Sequence, residues 1–214
     1  YYQLVNKRVR ELLGGDYSCK SVMYTVDFDE IVKLQHKEEW GKLDRLMADA
    51  AVRCQKAGAD IIVLCTNTMH LCKDAIEKSI SVPFLHIAHA TAEAISLYRL
   101  TKVALLGTKF TMEKDFYKRE IEENYDIKVI VPDSGDRDII HGIIYQELIK
   151  GIISEESRDR FKVIINSLRE QGAEGVILGC TEIPLLIREG DVDIPIFDTT
   201  KIHAYKAVDF AIKD

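Results

Sequence analysis

Apolar residues along this chain fall into short unbroken runs separated by longer stretches with helical spacing. From Tyr1 the spacing through Val9, Leu12 and Leu13 is helical, and Gly14-Gly15 stops it. Ser21 to Val26 alternates toward a strand that ends at Asp27, and a polar amphipathic helix is expected from about Glu38 to Lys56. Ile61 to Cys65 reads as a buried strand. It is followed by a helix carrying His70, Cys72 and Ile76, a short strand over 82–87 and a helix over 89–98. Lys102 to Thr108 is the clearest restart, a strand feeding a Gly-Thr turn and a helix through Tyr117. The order then recurs, with strands at 127–131, around Val176 and at 194–197. Helices are expected at 136–150, 154–171 and 183–187, and a terminal helix at 200–212 packs back on the first half. Strands alternating with helices predict an α/β chain of two similar lobes. Each lobe is a parallel-rich sheet flanked by helices, with the active site in the cleft between them. The first lobe takes 1–99 plus 198–214 and the second 100–197.

Two strand ends match without gaps. Gly58-Ala59-Asp60 through Thr68 aligns on Gly172-Ala173-Glu174 through Glu182, at a constant offset of 114. A turn followed by an apolar run is what any strand-helix-strand unit supplies. The residues after each run are less ordinary: Cys65-Thr66-Asn67-Thr68-Met69-His70 in one copy and Gly179-Cys180-Thr181-Glu182 in the other. In this register Cys180 pairs with Thr66, and strand alternation turns Cys65 into the core.

A thiol at the end of a strand and the start of a helix sits where backbone N–H groups favour the thiolate, so Cys180 is the candidate nucleophile or base. Thr66 would face it and hydrogen-bond or relay a proton through water. Asn67, Thr68, Thr181 and Glu182 offer donors and acceptors at two helix starts, suited to a small anion that carries an amine, and each could equally serve as a helix cap. His70, His86, His89 and His203 read as packing residues, and Arg53, Arg137 and Lys201 as solvated ones.

Composition narrows the classes. The chain has 214 residues, 47% of them hydrophobic, which is ample for a core. A net charge of −6 and no basic cluster interleaved with aromatics argue against a nucleic-acid partner. No apolar run would span a bilayer, and no charged-then-apolar leader is read at the start, so a cytoplasmic location is expected. Five cysteines without a CxxC pair suggest neither a disulfide framework nor a zinc knuckle. Cys19 and Cys54 are expected to be buried as small hydrophobes. No metal site or phosphate loop is recognisable, and no cofactor is indicated.

Over essentially its whole length the chain resembles the aspartate/glutamate racemase family. The likeness is carried by Cys65 to His70, by Gly179 to Glu182, and by Leu106-Gly107-Thr108 with Thr111-Met112. It extends to Tyr1-Tyr2, Val26-Asp27-Phe28 and Phe197-Asp198-Thr199. The resemblance implies a cofactor-independent racemase of aspartate or glutamate, working as a homodimer on a free amino acid. One thiol would remove the α-proton and a second acid would return it on the opposite face. Cys180 matches the family's second cysteine. The first is usually a cysteine directly before Asn-Thr, and Thr66 holds that place here. The departure implies a preference for the L-enantiomer, with Cys180 as its base. Family members open with a strand and a Gly-rich loop ahead of the helix that Tyr1-Tyr2 begins here. Two alternatives stay open: a malonate-type decarboxylase of the same fold, which needs one cleft cysteine, and an amino-acid-binding protein without catalysis.

Overall fold

The computed structural model describes residues 1–212, so the last two positions of the expected first lobe lie outside the described residues. It is a mixed α/β protein of two compact units.

One unit holds Tyr1–Cys65, Met69–His86 and the chain from Ala204. Its elements are α1 (Tyr2–Leu13), α2 (Phe28–His36), α3 (Trp40–Lys56), β1 (Ile62–Val63), α4 (Lys73–Ser79) and β2 (Phe84–Leu85). β1 and β2 pair in parallel, Ile62 beside Phe84 and Val63 beside Leu85. Leu43, Met47 and Ala51 recur at helical spacing on α3 and bury one face of it among Ile31, Ile62, Met69, Cys72 and Ile76. Leu43 is fully buried.

The helix expected from about Glu38 to Lys56 is α3. Ahead of it stands a helix the pattern did not show, α2, which the Asp27 carboxylate caps through Asp29 N and Glu30 N, and Glu38, at φ 53°, turns the chain between the two. Two expectations fail in this unit. Residues 21–26 form no strand, since alternation alone makes none without a neighbour to bond; Met23 is 67% exposed. Cys65 is exposed rather than core, because β1 ends at Val63 and the side-chain alternation ends with it. Cys19 and Cys54 are half-buried.

The other unit holds Thr66–Thr68 and Ile87–His203. It begins with α5 (Ile87–Ser96), β3 (Lys102–Gly107), α6 (Lys109–Glu113), α7 (Asp115–Tyr125) and β4 (Lys128–Ile130). It continues with α8 (Ser134–Gln146), α9 (Glu155–Glu170), β5 (Val176–Gly179), α10 (Ile183–Leu186) and β6 (Ile196–Asp198). The four strands are parallel in the order β4-β3-β5-β6. Both faces of the sheet are covered, which is why its strands read as unbroken apolar runs. Ala104, Leu106, Val176 and Leu178 face α8, α9 and α10, while Val103, Leu105, Ile177 and Phe197 face α5 and α7.

α11 (Thr199–Ile212) starts in this unit and from Ala204 belongs to the first, where Arg8 Nε donates to Asp209 Oδ1 at 2.8 Å. The boundary thus falls at Ile87 rather than before Lys102, because the apolar face of α5 is buried with β3 and α7; likewise 198–203 stay with the sheet that β6 completes.

From β3 the chain steps outward to β4, crosses back to β5 and continues outward to β6. The order therefore reverses between β3 and β5, and the carboxyl ends of those two strands form a topological switch point, the usual ligand position in an open parallel sheet. Gly107 and Gly179 end the two strands as direct partners. A Cβ on Gly179 would stand 2.9 Å from the Leu106 carbonyl oxygen, and one on Gly107 2.8 Å from the Gly179 carbonyl oxygen. Only glycine lets the two strand ends approach this closely.

Candidate functional site

Cys180 follows β5 at this switch point and is buried, with 8% of its surface exposed. Its Sγ donates to Glu182 Oε2 at 3.0 Å, and Thr181 Oγ1 donates to the same oxygen at 2.7 Å. Burial, then the Glu182 charge and the hydrogen bond to it, push the thiol well above its ordinary value; the backbone N–H groups of Glu182 and Thr181 pull the other way. The expectation of a resting thiolate at a helix start is corrected accordingly. α10 has only four residues and begins after Glu182, so its dipole does not outweigh a buried sulfur beside a carboxylate. Cys180 rests as a neutral thiol. Glu182, expected among the substrate contacts, spends one oxygen on that thiol and on Thr181.

The Thr66–Thr68 stretch clusters with the sheet unit although its sequence neighbours on either side do not. Thr66 is half-buried. Asn67 is 3% exposed; its Nδ2 donates to Thr199 Oγ1 at 3.1 Å, and Thr199 Oγ1 donates to the Leu178 carbonyl of β5 at 2.8 Å. Its Oδ1 is buried without a hydrogen-bond partner. A buried amide oxygen left open costs stability. Thr68 Oγ1 lies 3.0 Å from Thr108 Oγ1 and 3.1 Å from Thr111 Oγ1, and the last two are 3.3 Å apart. The three hydroxyls form a closed triangle at the end of β3, where Thr108 also caps α6.

Sequence reasoning passed over several of these groups. Thr108, Thr111 and Thr199 had stood out only as parts of motifs. Tyr145 on α8 is new: burial, with the charges of Cys180 and Glu182, pushes its phenol up to about 12. Its ring lies 4.6 Å from that of His141, one turn earlier on the same helix, and His141 Nδ1 accepts from the Lys109 backbone N–H at 3.3 Å. The signal available was the one-turn spacing of His141 and Tyr145. Of the other histidines, His70 and His86 are buried ring against ring at 4.6 Å, and His89 pairs with Glu120 at 2.9 Å. Arg137 lies in α8, where its Nε donates to Glu113 Oε1 at 3.0 Å. Among the described residues no group of three or more His, Cys, Asp or Glu is placed to hold a metal ion, and no helix is long and apolar enough to cross a membrane.

The family model for Asp/Glu/Hydantoin racemase matches residues 1–207. The broad specificity amino-acid racemase RacX of Bacillus subtilis (strain 168) is 27% identical over 90% of this chain and 78% of its own length. A solved structure from Yersinia pestis, described as a candidate Asp/Glu racemase, is 48% identical with a TM-score of 0.92, covering 99% of this chain and 92% of that one. An aspartate racemase homologue from Pyrococcus horikoshii OT3 is 34% identical with a TM-score of 0.83, covering 98% and 93%. With the match running nearly end to end, the chain belongs to the Asp/Glu/hydantoin racemase family, a family of amino-acid isomerases.

Proposed function

We propose that this chain racemises acidic amino acids without a cofactor, acting faster on the L-enantiomer. Cys180 is the base. As its proton passes to Glu182 Oε2, already bonded to it at 3.0 Å, the N–H groups of Thr181 and Glu182 stabilise the thiolate. The sulfur then takes the α-proton of the L-substrate, and the electron pair left on the α-carbon spreads into the substrate carboxylate. Thr66 orients the returning proton, which reaches the other face through water. The open Asn67 Oδ1 accepts from the substrate ammonium, and Thr68 and Thr181 exchange their present bonds within the hydroxyl triangle and to Glu182 for donation to the substrate carboxylate.

The observation that carries this reading is a buried thiol at the sheet's switch point, bonded to a carboxylate two residues away. The names of the relatives support it: two refer to aspartate or glutamate, while RacX is described as of broad specificity. Incubation in heavy water with L- and D-aspartate and L- and D-glutamate, followed by proton NMR, tests it. Deuterium should enter the α-position of the L-acids faster than the D-acids and be lost in Cys180→Ser. Equal rates for both enantiomers would remove the asymmetry, and exchange surviving in Cys180→Ser would remove the base.

A further inference from the structure

Asn67, Leu178 and Thr199 all belong to the sheet unit, and together they fix which way an amide points. The register sets Asp198 of β6 beside Leu178 of β5, so Thr199 opens α11 next to the end of β5. Asp198 Oδ1 accepts from Thr200 N at 2.9 Å and from Lys201 N at 3.1 Å, which holds this first turn. Thr199 is fully buried, and branching at its Cβ leaves the side chain few rotamers. A carbonyl oxygen can only accept, so the one proton of the Thr199 hydroxyl goes to Leu178 O at 2.8 Å. Thr199 Oγ1 is left with lone pairs alone, and the part of the Asn67 amide facing it at 3.1 Å must be the NH2. A turned amide would set two acceptors against each other with no proton between them. The polarity therefore runs one way, from Asn67 Nδ2 through Thr199 to β5. Oδ1 is the atom left over, buried and without a partner.

From this we infer that Thr199 is a positioning residue that determines specificity. Acting through Asn67 rather than on the substrate, it makes the site select acids that carry an ammonium group over acids that lack one. That selection rests on Asn67 Oδ1 being the ammonium acceptor proposed above. An N–H donor satisfies the open oxygen, a methylene in the same place leaves it open, and a carboxylate meets it as a second acceptor.

The probes are L-aspartate and succinate, the same skeleton without the amine, titrated calorimetrically into the wild-type chain, Thr199→Val and Thr199→Ser. Interconversion of enantiomers carries no heat, so turnover does not disturb the titration. Valine keeps the shape of threonine and removes both hydrogen bonds, so a bound ammonium would hold Asn67 Oδ1 while Nδ2 faces a methyl group. Loss of that hydrogen bond should cut the aspartate-to-succinate affinity ratio about tenfold in Thr199→Val, and Thr199→Ser should restore it. A ratio unmoved by valine, or not restored by serine, overturns the inference, as does equal binding of the two acids by the wild-type chain. NMR of the wild-type chain gives a second test that needs neither variant to fold. The Overhauser contact between the Asn67 Nδ2 protons and the Thr199 methyl should persist when aspartate is added, and its loss would refute the fixed polarity. Exchange of the α-proton in heavy water separates the two readings. Exchange with an unmoved ratio keeps the racemase reading and removes this one; a fall in the ratio without exchange does the reverse.

Discussion

Replacing Glu182 by Gln keeps the shape of the side chain and removes the charge that holds Cys180 protonated. A unit charge 3.0 Å from the sulfur opposes a thiolate by about 5 kcal/mol at an effective dielectric of ~20. The carboxylate shares its charge over two oxygens and is half-buried, so roughly half of that survives, about 2–3 kcal/mol, or about 30- to 160-fold in thiolate population at fixed pH. The sign follows from the direction of the shift: Glu182 raises the thiol, so its neutralisation lowers it. Peptide-resolved alkylation by iodoacetamide across a pH series measures the change, with exposed Cys65 in the first unit as the internal control. Cys180 should react at lower pH in the variant while Cys65 is unaltered, and the pH dependence of L-aspartate exchange should move the same way. An unmoved Cys180 profile would refute the electrostatic reasoning. A raised KM with no movement of either profile would return Glu182 to the substrate contacts.

Gly179→Ala places a methyl 2.9 Å from the Leu106 carbonyl and 2.8 Å from Leu105 Cδ1, so about 1–3 kcal/mol of stability should be lost. Thermal unfolding will show this as a lower Tm, and an unchanged Tm would mean that β3 and β5 part freely. Asn67→Ala deletes both the bond to Thr199 and the open acceptor, so KM for L-aspartate should rise by at least about tenfold while kcat falls less, as steady-state kinetics will report. A fall in kcat alone would contradict the assignment of its oxygen to the substrate ammonium.

The order of elements was legible because each strand of the sheet unit is covered on both faces and so reads as one apolar run. Cys180 could be singled out for a similar reason: two strand ends share a turn, a run and a polar exit. What escaped depended on partners. Residues 21–26 alternate, yet a strand exists only through hydrogen bonds that sequence does not supply. The capping of α2 by Asp27 was hidden behind that expected strand, and the boundary at Ile87 depended on where the apolar face of α5 is buried. The protonation state of Cys180 turned on Glu182 reaching back to the sulfur, a side-chain orientation that a helix-start rule ignores. Tyr145 lies far along the chain from Cys180 and is brought near only by the core that α8 and Cys180 share.

The triangle formed by Thr68, Thr108 and Thr111 has a consequence for whatever molecule meets it. Each hydroxyl owns one proton and two lone pairs, so the ring can run clockwise or anticlockwise. The Thr111 N–H that also points at Thr108 biases this circulation without locking it. Concerted rotation of three O–H bonds reverses the circulation while every heavy atom stays in place. In either sense Thr68 and Thr111 each keep a lone pair outside the ring, so a rigid rim greets a donor equally well whichever way it circulates, and yields a proton only by opening one of its own three bonds.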